Sequence, residues 1–436
     1  MSDSLRITGG KPLTGEIAVR GAKNFVSKAM VAALLGDTPS TLRNVPEILD
    51  VAIVADLLEL HGASVAYDAA SGNLTVDPAQ THPAKIGDIS AHAGTSRIPI
   101  LFCGPLLHRL GEAVIPDLGG CRIGERVVDF HLEILERFGV KTKTTTGGLH
   151  LKAPKGLTGI KHRLSYPSVG ATEQLLLTAV KAEGITRLEN AAVEPEIKDL
   201  IDTLQKMGAI ISVDTDRSIT IEGVETMRGF DHTALSDRIE AASWASAALA
   251  TKGDVFVHGA QQRTMGTFLN VFRKVGGQFD VVSDGIRFYH PGGDLKAIAI
   301  QTDVHPGFMT DWQQPMVVAL TQARGLSIVH ETVYEKRFGF TGALVKMGAT
   351  IQLYRECLGD TACQFGQRNF LHSAAISGPT PLKAADIEVP DLRGGFSHLI
   401  AALVASGTST VKGIGVIDRG YEGFRDKLAA LGADFA

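Results

Sequence analysis

The stretch that decides the fold is residues 182–209, which read AEGITRLENAAVEPEIKDLIDTLQKMGA. A short strand leads through a loop to a helix. Ile197, Leu200, Ile201 and Leu204 lie at i, i+3, i+4 and i+7, a spacing that places four apolar side chains on one helical face. The stretch therefore predicts a strand, a loop and an amphipathic helix.

The end of this stretch, a helical tail followed by glycine and a new strand, recurs six times. The copies read LLELHGASV, LERFGVKT, LQKMGAII, FRKVGGQF, LVKMGATI and LAALGADF. Their glycines are 77, 69, 68, 72 and 84 residues apart, and glycine suits a residue after a helix because the backbone there often turns left-handed. These glycines are Gly62, Gly139, Gly208, Gly276, Gly348 and Gly432.

An apolar helix precedes each copy, so each repeat reads as helix, strand, helix and strand. A solenoid repeat has roughly 20–45 residues, and these units are larger. We therefore expect an α/β fold in which six repeats gather into two lobes of three. A cleft between lobes is a favoured place for a ligand.

The composition narrows the class of protein. The chain has 436 residues and a formal net charge of −4, which gives no general reason to expect nucleic acid or an acidic membrane as a partner. The first residues do not read as a signal peptide, so we expect a cytoplasmic protein whose four cysteines stay reduced. Because the sequence has neither a Cys-X-X-Cys pair nor a His-Glu-X-X-His motif, we expect no metal site.

Five loops depart from the repeat pattern, and the first two place a cation ahead of a helix. Lys23 and Asn24 follow a glycine turn in VRGAKNFVSK, where a helix N-terminus and a lysine attract phosphate or carboxylate. Arg97 precedes an apolar helix in AGTSRIPILF, where an arginine serves as a cap partner or as an anion fork. An ordinary exposed lysine and a structural arginine are the alternatives.

The third loop, GGCRIGER, places Cys121 between a glycine pair and two arginines, Arg122 and Arg126. Cationic neighbours and a helix start lower the pKa of a thiol, which favours a reactive thiol or a proton donor. The alternative is a small packing residue, the expected role of Cys103 in its apolar run. The glycines around Cys121 leave little to pack against, so the sequence favours function.

The last two loops carry carboxylates as well as cations. Asp311 precedes an apolar helix in HPGFMTDWQQPM, where it serves as an N-cap or, if partly buried, as a general base. Asp391, Arg393 and Arg419 lie at two further loop-to-helix junctions, with surface ion pairs as the alternative.

Cations thus lie at equivalent edges of the repeats although the chain is net negative. Together with one candidate acid and one candidate base, they favour substrates that carry several phosphates and carboxylates. No Gly-X-Gly-X-X-Gly opens a strand–helix unit and no Gly-X4-Gly-Lys-Ser/Thr loop is present, so hydride transfer and a P-loop are not indicated. The five cations are Lys23, Arg97, Arg126, Arg393 and Arg419.

Seven motifs occur in an order that resembles the UDP-N-acetylglucosamine 1-carboxyvinyltransferases, enolpyruvyl transferases that begin peptidoglycan precursor synthesis. They are GEIAVRGAKN, GGCRIGER, SVGATE, TDWQQP, ETVYEKRF, PDLRGG and IDRGYEGFRDKLAALGA. The resemblance covers nearly the whole chain and implies an inverse α/β barrel in two lobes with six βαβαββ-type repeats. Residues 22–230 would form the N-terminal lobe with the cysteine loop, and residues 1–21 and 231–436 the C-terminal lobe, with the active site in the cleft between them.

The resemblance also implies a reaction. The enolpyruvyl group of phosphoenolpyruvate moves to the 3′-hydroxyl of UDP-N-acetylglucosamine by addition and elimination, and phosphate is released. Cys121 matches the proton donor, which can also form an adduct with phosphoenolpyruvate, and Asp311 matches the base on the sugar hydroxyl. Lys23, Arg126 and Arg419 match cations around phosphoenolpyruvate. The implied catalytic set is Cys121, Asp311, Lys23 and Arg419, with no cofactor.

A wider set of matches implies substrate contacts. Asp391 and Arg393 match a pair close to the reaction centre. The implied nucleotide-sugar contacts are Asn24, Arg97, Arg126, Val127, Val128, Asp129, Phe130, Ser168, Val169, Gly170 and Val333.

The chain departs from the family pattern at Val127, where proline is common, and at Tyr166, where lysine is common, which affects uridine packing and leaves the reaction unchanged. Because Cys121 is kept where some members have aspartate, we predict inactivation by the epoxide fosfomycin, which alkylates that thiol. Two alternatives compete with the main interpretation. One is an enzyme like 5-enolpyruvylshikimate-3-phosphate synthase, and the other is a catalytically silent paralogue that binds nucleotide sugar.

Overall fold

A computed structural model describes residues 3–94, 96–118, 129–360, 363, 365, 366 and 368–436. These residues form two compact units. The N-terminal unit holds residues 21–118 and 129–235, and the C-terminal unit holds residues 3–20 and 236–436. The chain therefore begins in the C-terminal unit, crosses to the N-terminal unit and returns.

Helices occur throughout the described residues. Short 3₁₀ segments cover Ala33–Leu35, Ser90–His92, Ile98–Phe102, Arg337–Phe340 and Ile414–Arg419. The α-helices are α1 (Lys23–Ala32), α2 (Leu49–Leu60), α3 (Ile86–Ile89), α4 (Cys103–Leu110), α5 (Asp129–Arg137), α6 (Val169–Ala179), α7 (Pro195–Lys206), α8 (Arg238–Ala250), α9 (Gln262–Val275), α10 (Thr310–Thr321), α11 (Thr341–Lys346), α12 (Leu392–Val404) and α13 (Phe424–Ala430).

Strands alternate with these helices. In the first half of the chain they are β1 (Ser4–Thr8), β2 (Thr14–Ala18), β3 (Ser40–Arg43), β4 (Ser64–Asp68), β5 (Asn73–Asp77), β6 (Glu112–Pro116), β7 (Lys141–Thr145), β8 (Gly148–Lys152), β9 (Lys161–Arg163), β10 (Ile185–Glu189), β11 (Ile210–Val213) and β12 (Ile219–Glu222). In the second half they are β13 (Asp231–Thr233), β14 (Asp254–His258), β15 (Gln278–Val282), β16 (Gly285–Tyr289), β17 (Leu295–Lys296), β18 (Ala299–Gln301), β19 (Ala323–His330), β20 (Thr350–Tyr354), β21 (Ser373–Gly378), β22 (Asp386–Glu388), β23 (Thr408–Lys412) and β24 (Asp434–Phe435).

The stretch at residues 182–209 folds as its pattern predicts. It forms strand β10, a loop and helix α7, and the predicted apolar face is buried, with Leu204 fully inaccessible. Pro195 is the first residue of the helix, where its missing N–H costs nothing because that donor has no partner in a helix anyway. The prediction of an amphipathic helix is therefore confirmed.

The six repeat glycines all have positive φ, between 77° and 116°. Each follows a helix and precedes a strand, so the left-handed turn predicted from the sequence is present in every repeat. The repeat itself contains one more strand than the pattern predicts, because the strand after the glycine turns back as a hairpin.

Within the described residues the strands form six sheets, three in each unit. In the sheet β11-β12-β10-β9, strands β9 and β10 are parallel while β12 is antiparallel to both of its neighbours. Four of the other sheets repeat this order, and the sheet β6-β8-β7 has three antiparallel strands among the described residues. In the last sheet β1, from the start of the chain, pairs with β24 in the place of the second hairpin strand. The predicted α/β fold of six repeats is confirmed.

The boundary between the units follows from two parallel strand pairs. Strand β2 pairs with β14 in the C-terminal unit, and β13 pairs with β3 in the N-terminal unit. Residues 231–235 therefore belong to the N-terminal unit, whereas the sequence-based division placed them after the boundary at residue 230. Residues 231–235 belong there because β13 forms backbone hydrogen bonds with β3.

Each unit has buried helices covered by sheets. In the C-terminal unit all thirteen residues of α8 are buried, and α8, α10 and α12 pack against one another. Alanine-rich helices pack closely because small side chains let their backbones approach. Strands such as β14 alternate between buried and half-buried residues, as expected of a sheet with one face on a core. Among the described residues no helix is both long and apolar enough to cross a bilayer.

Candidate active site

Several of the predicted site residues lie at the starts of buried helices. Helix α1 begins at Lys23, α6 is capped by Ser168, Asp311 is the second residue of α10, and α12 is capped by Asp391. A helix N-terminus presents N–H groups without intrahelical partners and a positive end of the helix dipole. Each unit thus has two helix starts that favour anions or polar groups, α1 and α6 in the N-terminal unit and α10 and α12 in the C-terminal unit.

Lys23 in the N-terminal unit is fixed by an ion pair. Its Nζ lies 2.7 Å from a carboxylate oxygen of Asp50, whose side chain is 2% exposed. Asn24 follows on α1 and is half-buried. The pair holds a lysine at the start of a helix, where a substrate anion can add to its contacts.

A second ion pair crosses the same unit from α1 to α6. Lys28 Nζ lies 3.6 Å from the carboxylate of Glu173. Burial raises the pKa of Glu173 to about 7 and lowers the pKa of Lys28. This pair ties α1 to the helix that Ser168 caps.

The start of α6 lies against a histidine that sequence reasoning did not single out. The Ser168 hydroxyl accepts a hydrogen bond from the Ala171 backbone N–H at 3.3 Å, and Val169 and Gly170 open the helix. A Cβ on Gly170 would lie 3.2 Å from Nε2 of His131, so glycine permits this approach.

Two causes lower the pKa of His131 to about 4: burial, which is the larger, and the charge of Arg97. His131 is therefore neutral at physiological pH, and it lies against the α6 start. Its position directly after the RVVDF run was the available signal for finding it from the sequence. Arg97 itself is half-buried and precedes the 3₁₀ segment Ile98–Phe102.

Part of the predicted site lies outside the described residues, namely Cys121, Arg126, Val127 and Val128. Asp129 begins α5, and Phe130 on the same helix is 43% exposed. An exposed aromatic ring at a helix start is available to a ligand.

In the C-terminal unit Asp311 lies between two buried arginines. Arg337 donates to its carboxylate, and Arg393 Nε lies 3.8 Å from the other carboxylate oxygen. The arginine side chains are 1% and 6% exposed, and that of Asp311 is 16% exposed. The N-cap position of α10 belongs to Met309, so Asp311 is not the cap and that alternative is wrong.

Arg393 is held from two further sides. Its guanidinium lies 5.2 Å from the centre of the Tyr421 ring, and its backbone N–H donates to the Asp391 carboxylate at 2.9 Å. The Tyr421 hydroxyl shares a 3.0 Å hydrogen bond with Ser243. Arg393 is 5% exposed, so a surface ion pair does not describe it. Arg419 ends a 3₁₀ segment two residues before Tyr421 and is half-buried.

Glu331 organises the loop that carries Val333. Its buried carboxylate accepts hydrogen bonds from Gln313 Nε2 at 2.7 Å, from the Val333 N–H at 2.8 Å and from the Tyr334 N–H at 2.9 Å. Thr310 also donates to it, so the loop is joined to the start of α10. Burial raises the pKa of Glu331.

Three residues of this cluster were missed by the sequence-based assignment of roles. Glu331 and Arg337 lie within the motif ETVYEKRF, which supported the family resemblance, but neither residue was assigned a role of its own. Asp237 caps α8 and accepts from the Ile239 and Glu240 N–H groups at 2.8 and 3.0 Å. An aspartate followed three residues later by glutamate is the pattern of a capping box, which would have identified this start.

The Asp311 cluster can do two things chemically. A partly exposed carboxylate held by two arginines has a fixed direction and can accept a proton from a bound hydroxyl. The half-buried Arg419 is two residues before Tyr421, whose ring contacts Arg393, and its guanidinium can bind an anion. Within the N-terminal unit, Lys23, Arg97 and the α6 start suit phosphate groups.

Comparison with known proteins agrees with this chemistry. The family model described as EPSP synthase (3-phosphoshikimate 1-carboxyvinyltransferase) matches residues 7–428. A protein of Protochlamydia amoebophila named UDP-N-acetylglucosamine 1-carboxyvinyltransferase is 49% identical over 99% of this chain and 94% of its own length. The chain belongs to the enolpyruvyl transferase family.

Two further matches of this enolpyruvyl transferase are similar over nearly the whole chain. A Chlamydia abortus protein, also named UDP-N-acetylglucosamine 1-carboxyvinyltransferase, is 46% identical over 98% of this chain and 96% of its own length. The crystal structure of the enolpyruvyl transferase NikO from Streptomyces tendae has a TM-score of 0.87 at 23% identity and covers 99% of this chain and 98% of that one. That structural likeness shows a shared fold.

Proposed function

We propose that this enolpyruvyl transferase moves the enolpyruvyl group of phosphoenolpyruvate to the 3′-hydroxyl of UDP-N-acetylglucosamine and releases phosphate. The names of the relatives at 49% and 46% identity support this choice of substrates. The observation that carries the proposal is the Asp311 carboxylate, which Arg337 and Arg393 hold at the start of a buried helix.

In the addition step the 3′-hydroxyl oxygen attacks C2 of phosphoenolpyruvate. Asp311 accepts the hydroxyl proton, and the Cys121 thiol delivers a proton to C3, which becomes a methyl group. The product is a tetrahedral intermediate that still carries the phosphate. In the elimination step the thiolate left on Cys121 takes a proton from C3, the bond between C2 and the phosphate oxygen breaks, and the double bond forms again as phosphate leaves.

The cations balance charge during these steps. Lys23, which Asp50 holds in place, and Arg419 bind the phosphate and carboxylate of phosphoenolpyruvate together with Arg126. In the proposal these three cations match the three negative charges of phosphoenolpyruvate.

The nucleotide sugar has its own set of contacts in the proposal. Arg97 and the α6 start at Ser168 supply donors for the diphosphate, and the α6 helix dipole favours its charge. The neutral imidazole of His131 adds a hydrogen-bonding group without a second positive charge. The exposed ring of Phe130 offers an apolar surface beside them.

Phosphate release with different acceptors tests the proposal. With phosphoenolpyruvate present, we expect phosphate release with UDP-N-acetylglucosamine and none above background with shikimate 3-phosphate. Release with shikimate 3-phosphate alone would assign the chain to the sister activity. Binding of UDP-N-acetylglucosamine without any release would assign it to a silent paralogue. The predicted cytoplasmic location stays a prediction.

A further inference from the structure

Four potential metal ligands lie together in the C-terminal unit, outside the set of predicted site residues. His330 ends strand β19, and His372 directly precedes strand β21. Cys357 and Cys363 lie in the connection between β20 and β21. One ligand atom from each of the four residues lies within 4.8 Å of the other three.

Two distances within this cluster match those between ligands of a tetrahedral zinc ion. The two sulfur atoms are 3.7 Å apart, and Cys357 Sγ lies 3.4 Å from His372 Nε2. Zn–S bonds of about 2.3 Å and Zn–N bonds of about 2.0 Å at tetrahedral angles give about 3.8 Å between two sulfurs and about 3.5 Å from sulfur to nitrogen. A disulfide needs its sulfurs at about 2.05 Å, so the observed spacing does not correspond to one.

Both imidazoles have an oxygen atom beside Nδ1. His372 Nδ1 lies 2.9 Å from the Phe370 carbonyl oxygen, and His330 Nδ1 lies 3.3 Å from the amide oxygen of Gln301. Because those oxygens only accept, each Nδ1 carries the proton and each Nε2 has a free lone pair. A second partner on Nδ1 is the usual arrangement for a histidine that binds a metal through Nε2.

His330 Nε2 gives independent evidence for a ligand. This nitrogen is fully buried and has no hydrogen-bond partner among the described residues. A buried acceptor without a partner is costly, and it is rare in folded proteins. A metal ion at the centre of the cluster would take up this lone pair.

The connecting loop is packed tightly around the same four residues. A Cβ on Gly359 would lie 2.3 Å from His330 Nδ1, and a Cβ on Gly366 would lie 3.3 Å from Cys357 Sγ. The Phe365 backbone N–H donates to Cys363 Sγ at 3.4 Å, a contact that stabilises a thiolate. Phe365 is 3% exposed and covers His372, which excludes water from one side of the cluster.

We propose that His330, Cys357, Cys363 and His372 bind one zinc ion in a closed structural site. Two thiolates and two imidazoles favour zinc over magnesium or calcium, which prefer oxygen ligands. Four protein ligands fill a tetrahedral shell, so the ion has no position left for substrate. The sequence predicted no metal site because these ligands come from two strand ends and a loop, and they form neither a Cys-X-X-Cys pair nor a His-Glu-X-X-His motif.

The ion would connect the loop to the strand ends beside Glu331. The Glu331 N–H donates to the His372 carbonyl oxygen at 2.8 Å, and the Glu331 carboxylate organises Val333 and Thr310. Zinc therefore stabilises the C-terminal unit and the support of the Asp311 helix, while it takes no part in the reaction.

Metal analysis of the full chain tests this proposal. Protein purified with a phosphine reductant and no chelator is expected to contain about one zinc per chain, measured by inductively coupled plasma mass spectrometry. Replacement by cobalt(II) should give the absorption of a tetrahedral cobalt–thiolate centre. Cys357→Ser and Cys363→Ser should lower the zinc content several-fold and abolish the cobalt–thiolate band, while Cys103→Ala, which removes a buried cysteine of the other unit, should leave both unchanged.

Three results would overturn the proposal. One is reduced wild-type protein that holds no zinc and binds neither added zinc nor added cobalt. Another is a Cys357–Cys363 disulfide that persists in reductant. The third is an unchanged zinc content in the two serine variants. If those variants do not fold, the zinc content and cobalt spectrum of the wild-type protein decide the question. None of these measurements depends on the transferase reaction, so this proposal and the proposed function can fail separately.

Discussion

Replacing Asp311 with asparagine removes one negative charge from between two buried guanidinium groups. At 3.8 Å an ion pair such as that with Arg393 is worth about 4 kcal/mol at an effective dielectric constant of about 20. Breaking one partner out of a buried pair costs about 3–5 kcal/mol, because the remaining charge stays buried without compensation. We therefore expect Asp311→Asn to lower the free energy of unfolding by about 3–5 kcal/mol and the melting temperature by roughly 6–20 °C.

The same substitution should reduce the reaction far more than the stability loss explains. Loss of a general base lowers kcat by about 10²- to 10⁴-fold. Phosphate release is measured at a temperature at which circular dichroism shows the variant to be folded, so that unfolding does not contribute. If Asp311 is the base, the variant also loses the acidic limb of its pH profile for kcat/KM.

Asp254→Asn is the matched control for removal of a carboxylate from this unit. Asp254 pairs with Arg287 on the surface, where both side chains are at least 40% exposed. Such a pair is worth about 0–1 kcal/mol, so its loss should change neither stability nor kcat appreciably. Folded Asp311→Asn with kcat within tenfold of wild type and an unchanged acidic limb would refute the assignment of Asp311 as the base.

Three further predictions concern Cys121, Glu173 and the glycine that follows α9. One fosfomycin molecule should become attached to the wild-type chain and abolish its activity, whereas Cys121→Ala should stay unmodified; intact-mass spectrometry distinguishes the two. A wild-type protein that stays unmodified and active would contradict the prediction. Burial raises the pKa of Glu173 to about 7 beside Lys28, so the folded state favours the protonated acid, and the stability of the wild type should fall as the pH rises from about 4.5 through 7. Thermal melts of Glu173→Gln should not show this pH dependence. The same pH dependence in both proteins would contradict the prediction. Gly276 follows α9 with φ 116°, so Gly276→Ala should lower the free energy of unfolding in urea by about 1–3 kcal/mol. Gly266 lies inside α9 with open space around it, so Gly266→Ala should raise that free energy by about 1 kcal/mol. Equal effects of the two substitutions would contradict the left-handed turn at Gly276.

The repeat architecture was readable from the sequence because its signals are local. A glycine after a helix and four apolar residues on one face depend only on neighbours along the chain, and both hold for α7 and its Gly208. The position of strand β13 was not readable, because its pairing with β3 joins residues about 190 positions apart.

The site divides in the same way. Asp311 and Arg393 stood out because each precedes an apolar helix, but the ion pair between them brings together two repeats that the sequence separates. Arg337 lies within the motif ETVYEKRF but was given no role, because its neighbours in the sequence do not show that its side chain is 1% exposed and donates to a carboxylate. The histidine–cysteine cluster was missed because two strands and a loop assemble it in three dimensions.

Mass spectrometry of the nucleotide product formed in heavy water tests the central claim most directly. We predict that UDP-N-acetylglucosamine gains one enolpyruvyl group and that this group carries deuterium on its methylene carbon, because C3 passes through a methyl group before elimination. Phosphate accumulating beside an unchanged nucleotide sugar, or an enolpyruvyl product without deuterium, would contradict addition and elimination at this site.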